Sequence, residues 1–280
     1  MRRTTLLALP IFLWVVNFSR ASLHAQNASP ANEKSPKFEW PNGKRMAISL
    51  SFDDARVSQV DTGLALLRKH GVKATFFLQG NRIEQRLEGW RQAVADGHEI
   101  GNHSMTHPCT GNYEFSRQNA LEDYSLSMMQ KQLDSANEQI SRLLGVKAKT
   151  FAYPCGQKFV GRGRNTKSYV PLIANHFLVG RGYLDEAAND PTFCDLAQAL
   201  GTAFDDMDFE QMLKPIQDAA KQGRWVIFVG HEIGQRGFQV TDTKALEALC
   251  DYANEPANGI WLATVAEIAT YIEGHRAHVH

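Results

Sequence analysis

The sequence predicts one α/β domain built on a parallel sheet, either open or closed into a barrel. Three observations carry this reading. From Met46 onward, short apolar runs alternate with amphipathic segments in a strand, helix, strand order. Glycines stand where several of the amphipathic segments stop. No internal repeat and no second composition regime interrupts the pattern, so a single domain is expected.

Element by element, 45–52 reads as a strand and 57–70 as a helix stopped by Gly71. A β-rich run covers 72–78, a short helix 90–96 ends at Gly97, and 98–102 is a short strand. The longest helix is expected over 121–144. There Leu121, Tyr124, Met128, Met129, Leu133, Ala136, Ile140 and Leu143 recur at helical steps, and Gly145 stops it. Further strands are expected over 149–153, 173–179 and 224–229. Residues 209–222 form a helix with Phe209, Met212, Leu213, Ile216 and Ala219 on one face. The last helix opens with a capping box, Thr264 with Glu267 three positions on.

The 280 residues carry 30 basic and 30 acidic side chains and are 43% hydrophobic and 21% charged. That composition supplies a sizeable core and excludes disorder over most of the chain. Without an excess of Lys and Arg, nucleic acid is not an expected partner. The first residues read as an export signal: Arg2 and Arg3, an apolar run over 6–18, then small and polar residues to Ala25. At about 13 residues the run is short of the roughly 20 that cross a bilayer, although an uncleaved anchor is the alternative. Cleavage after Ala25 or Ala21 leaves small residues at the cut, and Ala25 is preferred. No stable membrane span is then expected. The chain past Ala25 has 27 basic and 30 acidic residues, because Arg2, Arg3 and Arg20 leave with the leader. A linker is drawn over 26–43, one domain over 44–273 and a tail over 274–280, where a frayed end is expected for His275, His278 and His280, with weak metal binding as the alternative.

The candidate chemistry sits at strand ends. The first strand runs into Ser51-Phe52-Asp53-Asp54. Adjacent carboxylates repel, so they are costly as packing alone, yet a solvated Asp-Asp turn or a helix cap fits the pair equally. The third strand runs into His103-Ser104-Met105-Thr106-His107. Two imidazoles four residues apart on one helical turn reach a single metal, and a carboxylate with two histidines is the usual ligand set of a hydrolytic metal site. Tyr153-Pro154-Cys155-Gly156 makes a tight turn that leaves backbone N–H groups for a ligand, or is a plain strand-to-loop turn. His231 follows a strongly apolar strand, a place where a lone histidine is more often structural.

Taken together, these four segments resemble the polysaccharide deacetylase (NodB-homology) family of carbohydrate esterases, over roughly residues 44–273. The resemblance implies an irregular (β/α) barrel of seven or eight strands in a single domain. It implies a hydrolase that removes N-acetyl groups from an N-acetylglucosamine-containing polysaccharide or oligosaccharide with a metal-activated water. By residue, it implies that Asp54, His103 and His107 hold one divalent metal, zinc first, that Asp53 is the general base and that His231 is the general acid. It places Tyr153, Pro154 and Cys155 in the turn that binds substrate and oxyanion, with Cys155 where the family usually has Tyr. The leader, not the resemblance, gives the expected location: exported, whether periplasmic, cell-surface or extracellular.

The chain departs from the family's pattern twice. The family's third motif usually has an Arg that braces the base, and Ala152 stands there; a branch acting on poly-N-acetylglucosamine is similar at this point. The family's Asp-Trp pair has no counterpart between residues 181 and 210. Arg181 is the candidate replacement brace, against the alternative of a surface residue. If both loops surround one metal, Cys109 and Cys155 come close enough to bridge in an oxidising compartment, against the alternative of buried free thiols. Cys194 and Cys250 have no argued partner. Three other activities fit the same motifs: an O-acetyl esterase, a cyclic-amide hydrolase, or a relative that binds carbohydrate without turnover.

Overall fold

In a computed structural model, which describes residues 38–235 and 237–276, the apolar runs pair side by side in one parallel sheet. Numbered within that sheet, the strands are β1 (Met46–Asp53), β2 (Thr75–Leu78), β3 (Glu99–Asn102) and β4 (Thr150–Ala152). They continue as β5 (Val179–Arg181), β6 (Thr202–Ala203), β7 (Trp225–Gly230) and β8 (Ile260–Leu262). The order is β5-β4-β3-β2-β1-β7-β6, and β8 pairs with the first half of β1. A parallel bridge between Arg181 and Ala199 ties the β5 edge to the segment that leads into β6. The sheet therefore curls round on itself as an irregular eight-stranded (β/α) barrel in a single domain. Every pairing is parallel, so all the strands deliver their C-terminal ends to one rim.

Strand alternation sorts side chains between two apolar clusters. Ile48, Leu50, Phe52, Phe76 and Leu78 face one side, against α1 (Leu64–Lys69), α2 (Leu87–Ala95), α3 (Leu126–Leu144), α5 (Phe209–Gln222) and α6 (Thr243–Asn254). Ala47, Phe77 and Ile227 face the other side, against Trp40 and Val265, Ile268 and Ile272 of α7 (Val265–Arg276). Along β1 that second face changes from Ala47 through the buried Ser49 and Ser51 to Asp53. The barrel is thus sealed with apolar groups at one end and polar at the rim where the strands finish. α7 starts as the sequence indicates: Thr264 Oγ1 accepts from Glu267 N–H, and the Glu267 carboxylate accepts from Thr264 N–H.

Several expectations need correction. The expected strand over 173–179 is instead helix α4 (Val170–His176) followed by β5. Pro171 sits in the first turn of α4, where its missing N–H costs nothing, and Ile173 supplies the buried face. The long helix starts at Leu126 rather than 121, because the Ser125 hydroxyl caps it by accepting from Met128 N–H. Leu121–Asp123 forms a separate 3-10 turn. α6 and β8 were not expected. The tail drawn from 274 is helical through Arg276, while the export signal and His278 and His280 lie outside the described residues.

The linker drawn over 26–43 also ends early. Trp40 is 4% exposed, and its indole N–H donates to Gly223 O at 2.8 Å. Its ring packs among Phe38, Trp261 and Tyr271. Trp40→Ala is therefore expected to destabilise the domain by about 3 kcal/mol or more, read as a lower urea midpoint at unchanged slope. A linker residue in that place would leave the midpoint where it is.

Candidate active site

β1 ends at the rim with its two carboxylates turned apart. Asp53 continues the strand, in register with Phe77 of β2. Asp54 (φ 75°) and Ala55 (φ 54°) take the left-handed region that non-glycine residues usually avoid. That twist lets each carboxylate find its own cationic partner. Asp53 accepts from Arg181 Nη2, a buried ion pair that reaches across from the end of β5. One Asp54 oxygen, Oδ2, accepts from Arg56 Nη2 at 2.9 Å. The other, Oδ1, is buried with no hydrogen-bond donor and lies 3.4 Å from His103 Nε2 and 3.4 Å from His107 Nε2.

The two histidines do not share a helical turn, as the spacing suggested. Residues 103–110 are irregular, with Ser104 (φ 61°) and His107 (φ 55°) left-handed. Side chains hold the kinks in place: Asn102 Oδ1 accepts from Ser104 N–H at 2.7 Å, and Ser104 Oγ accepts from His107 N–H at 3.0 Å. His103 Nδ1 donates to Ala152 O at 2.9 Å, which leaves Nε2 as a lone pair facing Asp54. Burial and the neighbouring His103 push the His107 imidazole down to about 4, so it is neutral at ordinary pH. An orphaned carboxylate oxygen facing two imidazole nitrogens is a donor set for a cation, and carboxylate plus two imidazoles suits zinc or a similar ion. These residues fit a metal.

His231 follows β7 and is oriented from behind. Its Nδ1 donates to Asp205 Oδ2 at 2.6 Å, and its backbone N–H donates to Asp205 Oδ1 at 3.1 Å. Thr241 Oγ1 holds the same Oδ1, and the Tyr183 ring stands edge-on to the imidazole at 5.5 Å. Gln59, buried at the start of the helical segment that follows β1, joins the two strand ends. Its carboxamide donates to Asp53 O at 2.6 Å and to His231 O at 2.8 Å.

Burial pushes the Asp53 carboxyl up, but Arg181, His103 and His231 outweigh it and leave it below the usual range. Burial also pushes Asp54 up, and His103 and His107 bring it well below that range. Burial pushes His231 down, and the hydrogen bond to Asp205 with the charges of Asp53, Asp205 and Asp54 carries it above the ordinary imidazole value. A carboxylate favoured in its ionised form thus stands near an imidazole favoured in its protonated form.

The third expected segment divides. Tyr153 is fully buried with its hydroxyl donating to Ala197 O at 2.8 Å, and Pro154 is buried too. Cys155 (φ 54°) makes the turn, and no hydrogen bond among the described residues engages its N–H. Cys155 is bridged to Cys109, so a disulfide joins this turn to the loop that carries His107. Cys194 and Cys250 are free.

The comparisons with known proteins bear on this geometry. Residues 41–168 match the family model described as polysaccharide deacetylase. That stretch is 128 of the 280 residues, so the chain is similar to the polysaccharide deacetylase family over just under half of its length. The match takes in Asp53, Asp54, His103, His107 and the Cys155 turn and ends before Arg181, Asp205 and His231. Over 93 residues the chain is 43% identical to the uncharacterized protein YlxY of Bacillus subtilis, covering 33% of this chain and 26% of that protein. It is 36% identical over 98 residues to the peptidoglycan-N-acetylglucosamine deacetylase PgdA of Listeria monocytogenes, covering 34% and 20%. Against the peptidoglycan-N-acetylmuramic acid deacetylase PdaA of Bacillus subtilis it is 29% identical over 123 residues, covering 44% and 43%. The chain thus spans less than half the length of each of these relatives. Among solved structures, a putative polysaccharide deacetylase from Mycobacterium smegmatis shares the fold at a TM-score of 0.62 and 16% identity, covering 86% of this chain and 94% of that one. A family 4 acetyl xylan esterase from Clostridium thermocellum, solved with cobalt, shares it at 0.53 and 22% identity, covering 80% and 91%.

Two residues of this candidate site gave no expectation in the sequence. Asp205 lies inside the interval searched for an Asp-Trp pair, and it follows Phe204 and precedes Asp206. That tripeptide repeats Phe52-Asp53-Asp54 after another short strand, which is the signal that would have found it. Gln59 gave none. Arg181 is fully buried, its guanidinium stacked 4.9 Å over the Phe77 ring. Arg181→Ala is expected to lower turnover at least about tenfold while bound metal per chain, read by elemental analysis, is unchanged. Unaltered turnover would remove Arg181 from the site.

Proposed function

We propose that this chain is an exported, metal-dependent hydrolase that removes N-acetyl groups from an N-acetylglucosamine-containing polysaccharide. One observation carries the reading: Asp54, His103 and His107 converge beside an Arg181-braced Asp53 and an Asp205-held His231. The peptidoglycan-N-acetylglucosamine deacetylase among its relatives supports an amino-sugar substrate. The Cys109–Cys155 bridge, with the apolar leader, supports an oxidising compartment outside the cytoplasm.

Asp54, His103 and His107 are the metal ligands in this reading. A divalent ion there, zinc in the first instance, supplies Lewis acidity that polarises the acetyl carbonyl and lowers a water's pKa towards about 7. Asp53, kept ionised by Arg181, accepts the proton of the attacking water. The unengaged N–H of Cys155 is available to the oxygen on which charge develops. His231 gives its Nε2 proton to the departing amine, because Asp205 occupies Nδ1 and fixes the tautomer. Without that proton the amine is a poor leaving group. Gln59 keeps base and acid at a constant separation by gripping both backbones.

Two measurements test the reading. Acetate release from N-acetylglucosamine oligomers is expected, to vanish with a chelator and to fall by about a hundredfold or more in Asp53→Asn. Release from acetylxylan alone would favour the O-acetyl esterase instead. Oligomer affinity without any chelator-sensitive release from either substrate would favour the silent binding relative. The second measurement is a pH profile of kcat/KM. His231 donates only while protonated, and its raised pKa keeps that form present to higher pH, so rate falls as pH rises through the raised value. Asp205→Asn removes the largest raising influence and is expected to move this alkaline limb to lower pH. An unmoved limb would separate His231 from the acid role.

A further inference from the structure

Resting on the deacetylase reading, we propose that Tyr113 and Phe115 form a saccharide platform for the sugar ring next to the one that loses its acetyl group. Large apolar side chains exposed together on a soluble domain mark contact surfaces more often than single ones do. Phe115 is 70% exposed and Tyr113 46% exposed, and their rings lie almost parallel, 8° apart with centroids separated by 5.5 Å. They therefore make one stepped apolar surface rather than two isolated side chains.

Its position is decided by His107. The Phe115 ring centroid lies 6.4 Å from the His107 imidazole, so the platform begins at a residue assigned to the metal. A ligand whose acetyl group reaches that centre has its neighbouring unit within the span of these rings. Both rings belong to the loop that leaves His107, and that loop is pinned at many points. Ser116 Oγ accepts from Cys109 N–H and donates to Cys109 O, each at 2.9 Å. Gly111 N–H donates to Glu122 at 2.9 Å, and Asn119 Nδ2 donates to Thr106 O at 3.0 Å. Thr110 N–H donates to Gln157 Oε1 at 2.7 Å, which binds the loop to the turn after Cys155. Rigid aromatic side chains on a fixed loop lose little conformational entropy on binding.

The surface also specifies the ligand's chemistry. A gluco-configured pyranose carries its substituents equatorially, so its axial C–H groups make an apolar face that lies flat on an aromatic ring. The platform offers such a face to an uncharged, extended β-linked oligosaccharide of two or more units.

The test uses the full chain and defined N-acetylglucosamine pentamer. Phe115→Ala is expected to raise KM for the pentamer about tenfold with kcat within about twofold, and Phe115→Tyr to restore it. Binding of the pentamer by calorimetry in the Asp53→Asn background is expected to weaken by the same factor when Phe115→Ala is added. An unchanged dissociation constant in that background, a loss confined to kcat, or no pentamer binding by Asp53→Asn itself would overturn the platform. Failure of the deacetylase reading looks different: the parent releases no acetate, while pentamer binding still depends on Phe115.

Discussion

The ion pair between Asp53 and Arg181 sets what the rest of the barrel must do. Asp53 ends β1 and Arg181 ends β5, and β2, β3 and β4 lie between them in the sheet. A flat sheet would hold the two side chains several strand widths apart. Only the curl that brings β5 round towards the β6 and β7 side lets them touch, so closure of the barrel and assembly of the site are one geometric fact. The pair is buried, and two charges out of water are costly unless well partnered. Arg181 also donates to Gly182 O and lies over Phe77, which spreads that compensation. Losing either partner would strand a buried charge.

The same economy explains how Asp53 and Asp54 stay ionised side by side. Left-handed backbone at Asp54 and Ala55 sends one carboxylate to Arg181 and the other to Arg56 and the histidines. Strained torsions of this kind cost of order 1 kcal/mol or more each and persist where the surroundings demand them. Ser104, His107 and Cys155 are left-handed as well, so five of the backbone outliers lie in the loops that follow β1, β3 and β4 at the rim. Rigidity there comes from side-chain hydrogen bonds and a cross-link, not from regular secondary structure.

Much of this was legible in the residues. Period and stop signals gave α5 with its bounds, and the capping box gave the start of α7, because both are local statements about chain and solvent. The motif residues were legible since strand ends with Asp-Asp and His-x-x-x-His have few other uses together. What escaped was non-local or ambiguous. The run from Ile173 to Val179 is apolar enough for a strand, and only Pro171 and its context make its first part a helix. The convergence of His103 and His107 through kinks, not a helical turn, depends on Asn102 and Ser104 side chains that no periodicity reports. Asp205 pairs with His231 from 26 positions away, a contact that exists only once β6 and β7 are neighbours. Trp40 looked like linker because its pocket is made by Gly223, Trp261 and Tyr271, remote in sequence.

The Cys109–Cys155 bridge has a topological consequence. It closes a covalent ring across a sequence separation of 46, and the whole of α3 lies inside that ring. Closing a loop of this size removes roughly 4 kcal/mol of entropy from the unfolded chain in the simplest treatment. It also means that α3 cannot swing away from the sheet without straining both ends of its tether, one beside His107 and one at the Cys155 turn. The helix and the front of the barrel are therefore fastened into a single mechanical part, so the longest helix acts as the clasp on the loops that carry His107 and Cys155.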